Sequence, residues 1–238
     1  MASETFYKIQ GGVVSQVRIE EGCAFPLDEL FSNLAKGFGS YSGILPFGCL
    51  LTSSMNGALC FVTQTPSKVY PVKYSRTRGD GKLFNLQISV PFVQYYFVVV
   101  EATGAIKNVY MSVTKKPVLN DDETVYTPPF LNIFDSGTGK ICNGQMAVNV
   151  SLPLNVRINQ YMSEFYVYNF NNDLNAKIPA GLSQDQGKYM EDWSKKTEKN
   201  PFFGVSNDVN YEYLIDDKGN PATILSRTSC ILRRETNG

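Results

Sequence analysis

Between Cys49 and Val113, apolar segments follow one another across connections too short for a parallel crossover, and this spacing restricts the fold more than any other feature of the chain. The segments cover 50–51, 59–62, 69–72, 83–88, 95–100 and 109–113. Turn chemistry separates them at Met55-Asn56-Gly57, Thr65-Pro66-Ser67, Gly79-Asp80-Gly81 and Thr103-Gly104. Parallel neighbours need connections of about a dozen residues or more, so an antiparallel meander is expected, with one face left to be covered.

That cover is expected from the chain after residue 150. Pro153 can open a helix in which Leu154, Ile158, Tyr161, Phe165 and Tyr168 form an apolar stripe, with Arg157, Asn159 and Gln160 facing out. A second helix over 186–199 carries Tyr189 and Trp193, whose helical spacing reads as core. Tyr211–Leu214 and Ala222–Leu225, divided by a polar turn at 216–221, read as loop or short terminal strands. Upstream, 5–22 read as strand and turn about Gly11-Gly12. A helix is then expected with Pro26 at its start, Leu27, Leu30, Phe31, Leu34 and Ala35 along it, and Gly37 at its end. Strands first and helices later imply an α+β layer fold. Residues 1–48 read as an N-terminal strand and helix embellishment, 49–200 as the core, and 201–238 as a C-terminal extension packed on it.

Composition narrows the function classes. Lys+Arg and Asp+Glu both number 22, so no global field favours nucleic acid or an anionic membrane. The N-terminus lacks a basic segment followed by an apolar core, and no run approaches the roughly 18 apolar residues of a membrane span. Five scattered cysteines (Cys23, Cys49, Cys60, Cys142, Cys230) contain no Cys-x-x-Cys pair, which argues against a disulfide framework or a zinc knuckle and points to a reducing cytoplasm. The chain has no histidine, which removes Ser-His-Asp and Cys-His mechanisms and the common zinc hydrolases. Gly137, Gly139 and Gly144 precede no Gly-Lys-Ser/Thr, and Asp121-Asp122-Glu123 reads as a solvated turn, so neither a nucleotide cofactor nor a metal is expected.

One segment looks built for chemistry. In 128–146, Pro128-Pro129 stiffens the approach, Asp135-Ser136-Gly137-Thr138-Gly139 permits a tight reversal, and Ile141 can anchor the loop so that the thiol of Cys142 faces outward. A thiolate is a good nucleophile without a resident base, and Lys140 stands two residues away. The other four cysteines read as small buried hydrophobes. Asn132 has two readings: a donor to the oxyanion formed when a thioester is attacked, or an amide that ties the loop to its own backbone.

Phe130-Leu131-Asn132-Ile133 followed by Gly139-Lys140-Ile141-Cys142 resembles the Asn-Ile, turn and Gly-x-Ile-Cys order of ubiquitin-conjugating enzymes. The resemblance is nearer to a bacterial branch, the prokaryotic ubiquitin-conjugating-like family D that includes PRTRC system protein B. That branch lacks the motif histidine, places a glycine two residues after the cysteine, as Gly144 does here, and has a later aromatic segment, similar to Phe165-Tyr166-Val167-Tyr168-Asn169-Phe170. Two departures stand out: Phe130 occupies the place of the histidine of ubiquitin-conjugating enzymes, and the interval from Asn132 to Cys142 is about two residues longer than usual. The resemblance implies a ubiquitin-conjugating-like fold in which Cys142 accepts a ubiquitin-like modifier as a thioester and Asn132 assists its transfer to an amine. It implies as partners the modifier, an adenylating activating protein and a JAB-type metalloprotease. The alternatives are a non-catalytic module of the same fold that docks one of these partners and, on composition alone, a structural protein of a mobile element.

Overall fold

The computed structural model describes residues 5–10, 13–18, 45–76, 82–135, 137–142, 151–171, 174 and 176–237. The helix expected from 26 to 37 lies outside them. At the N-terminus β1 (Thr5–Gln10) and β2 (Val13–Arg18) form an antiparallel hairpin. The main strands are β3 (Cys49–Met55), β4 (Ala58–Thr65), β5 (Lys68–Ser75), β6 (Phe84–Val90), β7 (Phe92–Val100) and β8 (Ala105–Thr114). Two short strands, β9 (Ile133–Asp135) and β10 (Lys140–Ile141), precede helix α1 (Leu154–Glu164). β11 (Asn169–Asn171), α2 (Tyr189–Lys199) and α3 (Ile224–Asn237) complete the order, which is α+β.

The strands do not form one meander. A six-stranded sheet runs β3-β4-β7-β8-β10-β9, and a second, three-stranded sheet runs β11-β5-β6, with β11 parallel to β5. The two are linked by one long bent ribbon. β4 pairs β7 from Ala58↔Val100 to Thr65↔Val93, and β5 pairs β6 from Lys68↔Val90 to Tyr74↔Phe84 in the same register. The break falls at Pro66 on one arm and Pro91 on the other, where each proline removes a ladder N–H. Ser67 Oγ donates to Val90 O (2.8 Å) at the bend.

Both faces of the large sheet are covered, where one was expected. Strand β7 is buried along its length apart from its ends, as its unbroken apolar run from Tyr95 to Val100 requires. Its odd-numbered side chains (Tyr95, Phe97, Val99) join Ile158, Tyr161 and Met162 of α1 in the larger core cluster. Its even-numbered Tyr96 and Val98 meet Ile224, Ile231 and Leu232 of α3 on the opposite side. Helix α2 closes the outer edge of β6: Ser89 donates its N–H to Thr197 Oγ1 (2.8 Å), Gln87 to Ser194 Oγ (3.2 Å), and the Trp193 indole N–H reaches Ser89 O (3.1 Å). Tyr189 and Trp193 are fully buried, as their spacing predicts.

Helix α1 ends sooner than the apolar stripe suggests. Successive residues on a helix diverge by about 100°, so Phe165 and Tyr166 enter the same core together only where the chain leaves the helix. Tyr168 lies beyond it. Arg157, expected in solvent, is instead buried and donates to Gly104 O (2.8 Å) in the turn between β7 and β8. Helix α3 replaces the loop or strand expected after Ala222. Thr223 and Ser226 cap it reciprocally: Ser226 N–H donates to Thr223 Oγ1 (3.2 Å) and Thr223 N–H to Ser226 Oγ (2.9 Å). Its far end is held to β8 by Glu235, which accepts from Tyr110 and Asn108 and pairs with Lys107. Burial alone would raise the carboxyl's pKa, but the donated hydrogen bonds hold it below the usual glutamate value. Among the described residues no helix is long and apolar enough to cross a membrane.

Candidate active site

Cys142 directly follows β10, one strand in from the edge of the six-stranded sheet. β10 pairs β8 at Lys140↔Tyr110 and β9 at Lys140↔Asp135 and Ile141↔Ile133. The hairpin stays on the sheet because Ile133 and Ile141 point one way into the main core, where both are buried. Continuing the register, Cys142 N–H donates to Asn132 O at 2.9 Å. This bond sets the backbones of Asn132 and Cys142 opposite each other, one step beyond the ends of the two strands. The longer interval between them does not separate them: the register shifts by one residue between the Lys140↔Asp135 and Ile141↔Ile133 pairs, which leaves Phe134 as an extra residue within β9. Cys142 and Asn132 are both half-buried.

Gly139 makes this turn possible. Its φ is +63°, and an added Cβ would stand 2.2 Å from Met111 O, so only glycine lets the turn approach β8 this closely. Met111 N–H donates to Gly139 O (2.8 Å). Arg227 from α3 also neighbours this glycine, its terminal nitrogen 3.5 Å from where the Cβ would stand. It is buried, its Nε and one terminal nitrogen have no hydrogen-bond partner, and its guanidinium faces the ring of Tyr110 at 5.8 Å. Gly137 and Gly139 therefore lie in a hairpin turn, while Gly144 lies outside the described residues. Lys140 is placed by the register opposite Tyr110.

Tyr161 is a neighbour of Cys142 that sequence spacing registers only as core. Burial, and after it the Cys142 sulfur, push its phenol up. Nothing local to Cys142 signals this electrostatic coupling, because Tyr161 belongs to α1. Phe130 is fully buried and stacks on Trp193 (centroids 6.0 Å apart), with Phe165, Tyr166 and Phe170 around it. Residue 130 therefore lies inside the hydrophobic core. Among the described residues no group of three or more acidic or cysteine side chains could hold a metal ion.

The remaining described thiols differ from Cys142 in their surroundings. Burial raises the Cys49 thiol to about 11 and pushes Cys60 higher still. Burial and the hydrogen bond to Asp217 raise Cys230. These three carry little thiolate at neutral pH, while Cys23 lies outside the described residues. In a Cys23→Ser protein at pH 7.5, a thiol reagent is expected to modify Cys142 at least about tenfold faster than the other three. Peptide mapping of the first-labelled thiol checks this, and labelling that began at Cys49 or Cys230 would contradict the assignment. No family model, no curated protein and no solved structure matches this chain.

Proposed function

We propose that the chain is a ubiquitin-conjugating-like acyl carrier: Cys142 accepts a ubiquitin-like modifier from an adenylating activating protein and passes it to an amine. The observation that carries this reading is the hydrogen bond from Cys142 N–H to Asn132 O. It makes neighbours of the two residues that the motif requires, despite the longer loop.

The chemistry needs no resident base to begin. The Cys142 thiolate attacks the carbonyl carbon of the modifier's thioester, and the activating protein's thiolate leaves as the new carbon–sulfur bond forms. An amine then attacks the Cys142 thioester, expels the Cys142 thiolate and loses a proton as the amide forms. In this reading the Asn132 amide donates to the oxyanion of that second step, a contribution of about 3 kcal/mol where such donors have been removed from other enzymes. A JAB-type metalloprotease is the partner that would process the modifier or reverse the conjugate.

Incubation with the cognate modifier, activating protein and ATP is expected to give an adduct cleaved by reductant. Cys142→Ala abolishes it, and Cys142→Ser converts it to a reductant-resistant oxyester. Asn132→Ala retains the adduct and slows its discharge to amine by roughly a hundredfold. An adduct that persists in Cys142→Ala would overturn the proposal. The buried Phe130 in the place of the histidine favours a second reading, a docking module that carries no acyl group. Full cellular function of Cys142→Ala would select that reading.

A further inference from the structure

At the end of the large sheet away from Cys142, β3 is the outermost strand among the described residues. Its seven residues contain no proline, and no charged side chain lies anywhere from Leu45 to Ser67. Open sheet edges are normally blunted by lysine, proline or a bulge, because an unpaired ladder invites another strand. On β3 the only register shift falls between Cys49 and Leu51, and from Leu51 to Met55 the pairing with β4 is regular.

The direction of the open backbone groups follows from the bonds that β4 makes. Gly57 O accepts from Glu101 N–H (2.9 Å) on the side of β7, and Gln64 N–H donates to Gly48 O (2.8 Å) on the side of β3. Main-chain groups alternate along an antiparallel strand, so Ala58, Cys60 and Val62 turn theirs to β3, where Met55, Ser53 and Leu51 are their partners. The N–H and C=O of Thr52 and Ser54 therefore point outward from the edge. Side chains alternate as well. Leu51 and Met55 pack on the α3 side of the sheet with Ser53 between them, whereas Thr52 and Ser54 lie on the α1 side, as Phe61 opposite Thr52 does.

We infer that β3 is the contact between two copies of this chain, which pair antiparallel about a two-fold axis at Ser53 and join their large sheets into one. In that register Thr52 of each copy exchanges both main-chain hydrogen bonds with Ser54 of the other, so the outward donors and acceptors of the edge satisfy one another. Leu51 meets Met55 on the α3 side, Thr52 meets Ser54 on the α1 side, and Ser53 meets itself. Apolar groups thus face apolar groups and hydroxyls face hydroxyls. A register moved by one residue would set Leu51 opposite Ser54 and lose the match. The occupant is a second copy because the strand is complementary to itself, and it offers no charge to select a different partner. Met55 of the second copy, opposite Leu51, also stands beside a shallow groove bordered by Leu51, Val118, Leu119 and Ile224, the kind of irregular gap that a flexible thioether fills. Leu119 is 81% exposed in the single chain.

Sedimentation equilibrium of the full chain across the micromolar range is expected to show a species of twice the 26.5 kDa chain mass. Ser54→Pro removes an N–H that takes no part in the β3–β4 ladder, and is expected to weaken dimerisation at least about tenfold with an unchanged circular dichroism spectrum. Only residue 53 faces its own copy across the axis. Ser53→Asp and Ser53→Lys each set like charges directly opposite one another, so each variant alone is expected to remain monomeric, and an equal mixture of the two to associate with about the parental affinity. Circular dichroism checks that both variants are folded. A parent chain that stays at 26.5 kDa throughout the range would overturn the proposal. So would a Ser54→Pro protein that dimerises as the parent does, or a mixture of the two folded Ser53 variants that fails to associate.

Discussion

Phe130→His is expected to destabilise the protein by about 3–5 kcal/mol and to confer no catalytic gain, although it restores the histidine of the motif that the chain resembles. The native ring is fully buried, stacked on Trp193 and edge-on to Phe165 and Tyr166. An imidazole there loses part of the apolar burial and leaves a smaller, imperfectly filled site, and it brings two ring nitrogens among aromatic carbons. An unsatisfied buried polar group alone costs about 1–3 kcal/mol. The same polar group makes the effect pH-dependent. The core favours neutral imidazole, so the folded-state pKa falls below the unfolded one, and the variant loses further stability as pH drops through the unfolded histidine range. Urea denaturation at pH 8 and pH 5.5 measures both effects. Phe130→Leu, which keeps the site apolar, is expected to cost about half as much and to show no such pH dependence. A histidine variant as stable as the parent would mean that residue 130 does not point into the core.

The burial of Phe130 also shows where local reading of the chain stops. Strand positions and the antiparallel sense were legible because turn residues and apolar runs repeat at short intervals, and Tyr189 and Trp193 lie at helical spacing on the side that the core takes. The division into two sheets was less visible. It depends on Pro66 and Pro91 facing each other across a ribbon, and neither proline alone shows that the other is its neighbour. Strand β7 did carry the sign of two-sided burial, an unbroken run from Tyr95 to Val100 where a half-buried strand would alternate. Helix α3 was hidden because Arg227 and Thr228, both buried, interrupt the apolar stripe between Ile224 and Ile231. Its reciprocal cap at Thr223 and Ser226 was the available signal. At the candidate site, the pairing of Asn132 with Cys142 depends on how the turn between them folds, and Tyr161 arrives from another element, so residue spacing could specify neither.

Gly139→Ala is expected to cost about 3–4 kcal/mol and to alter the reactivity of Cys142, whereas Gly57→Ala is expected to cost only about 1 kcal/mol. Both glycines have positive φ, +63° and +78°, so each alanine incurs a left-handed backbone penalty of about 1–2 kcal/mol at most. The difference lies in what surrounds the new methyl group. At Gly57 nothing stands within 4 Å, so the penalty ends with the backbone. At Gly139 the methyl would meet Met111 O at 2.2 Å and Arg227 at 3.5 Å, and the first of these is backbone in the middle of a packed strand. Since β8 cannot yield, the turn must lift away. Lifting breaks the bond from Met111 N–H to Gly139 O, loosens the Lys140↔Tyr110 pairing and draws Ile141 out of the core. One lost hydrogen bond costs about 1 kcal/mol, and partial exposure of a buried isoleucine adds about the same. The displaced β10 carries Cys142 with it, so the thiol's labelling rate should change in Gly139→Ala and remain at the parental value in Gly57→Ala. Equal destabilisation by the two alanines, with equal labelling rates, would show that contact with β8 is not what fixes the hairpin, and that the position of Cys142 is set from elsewhere in the fold.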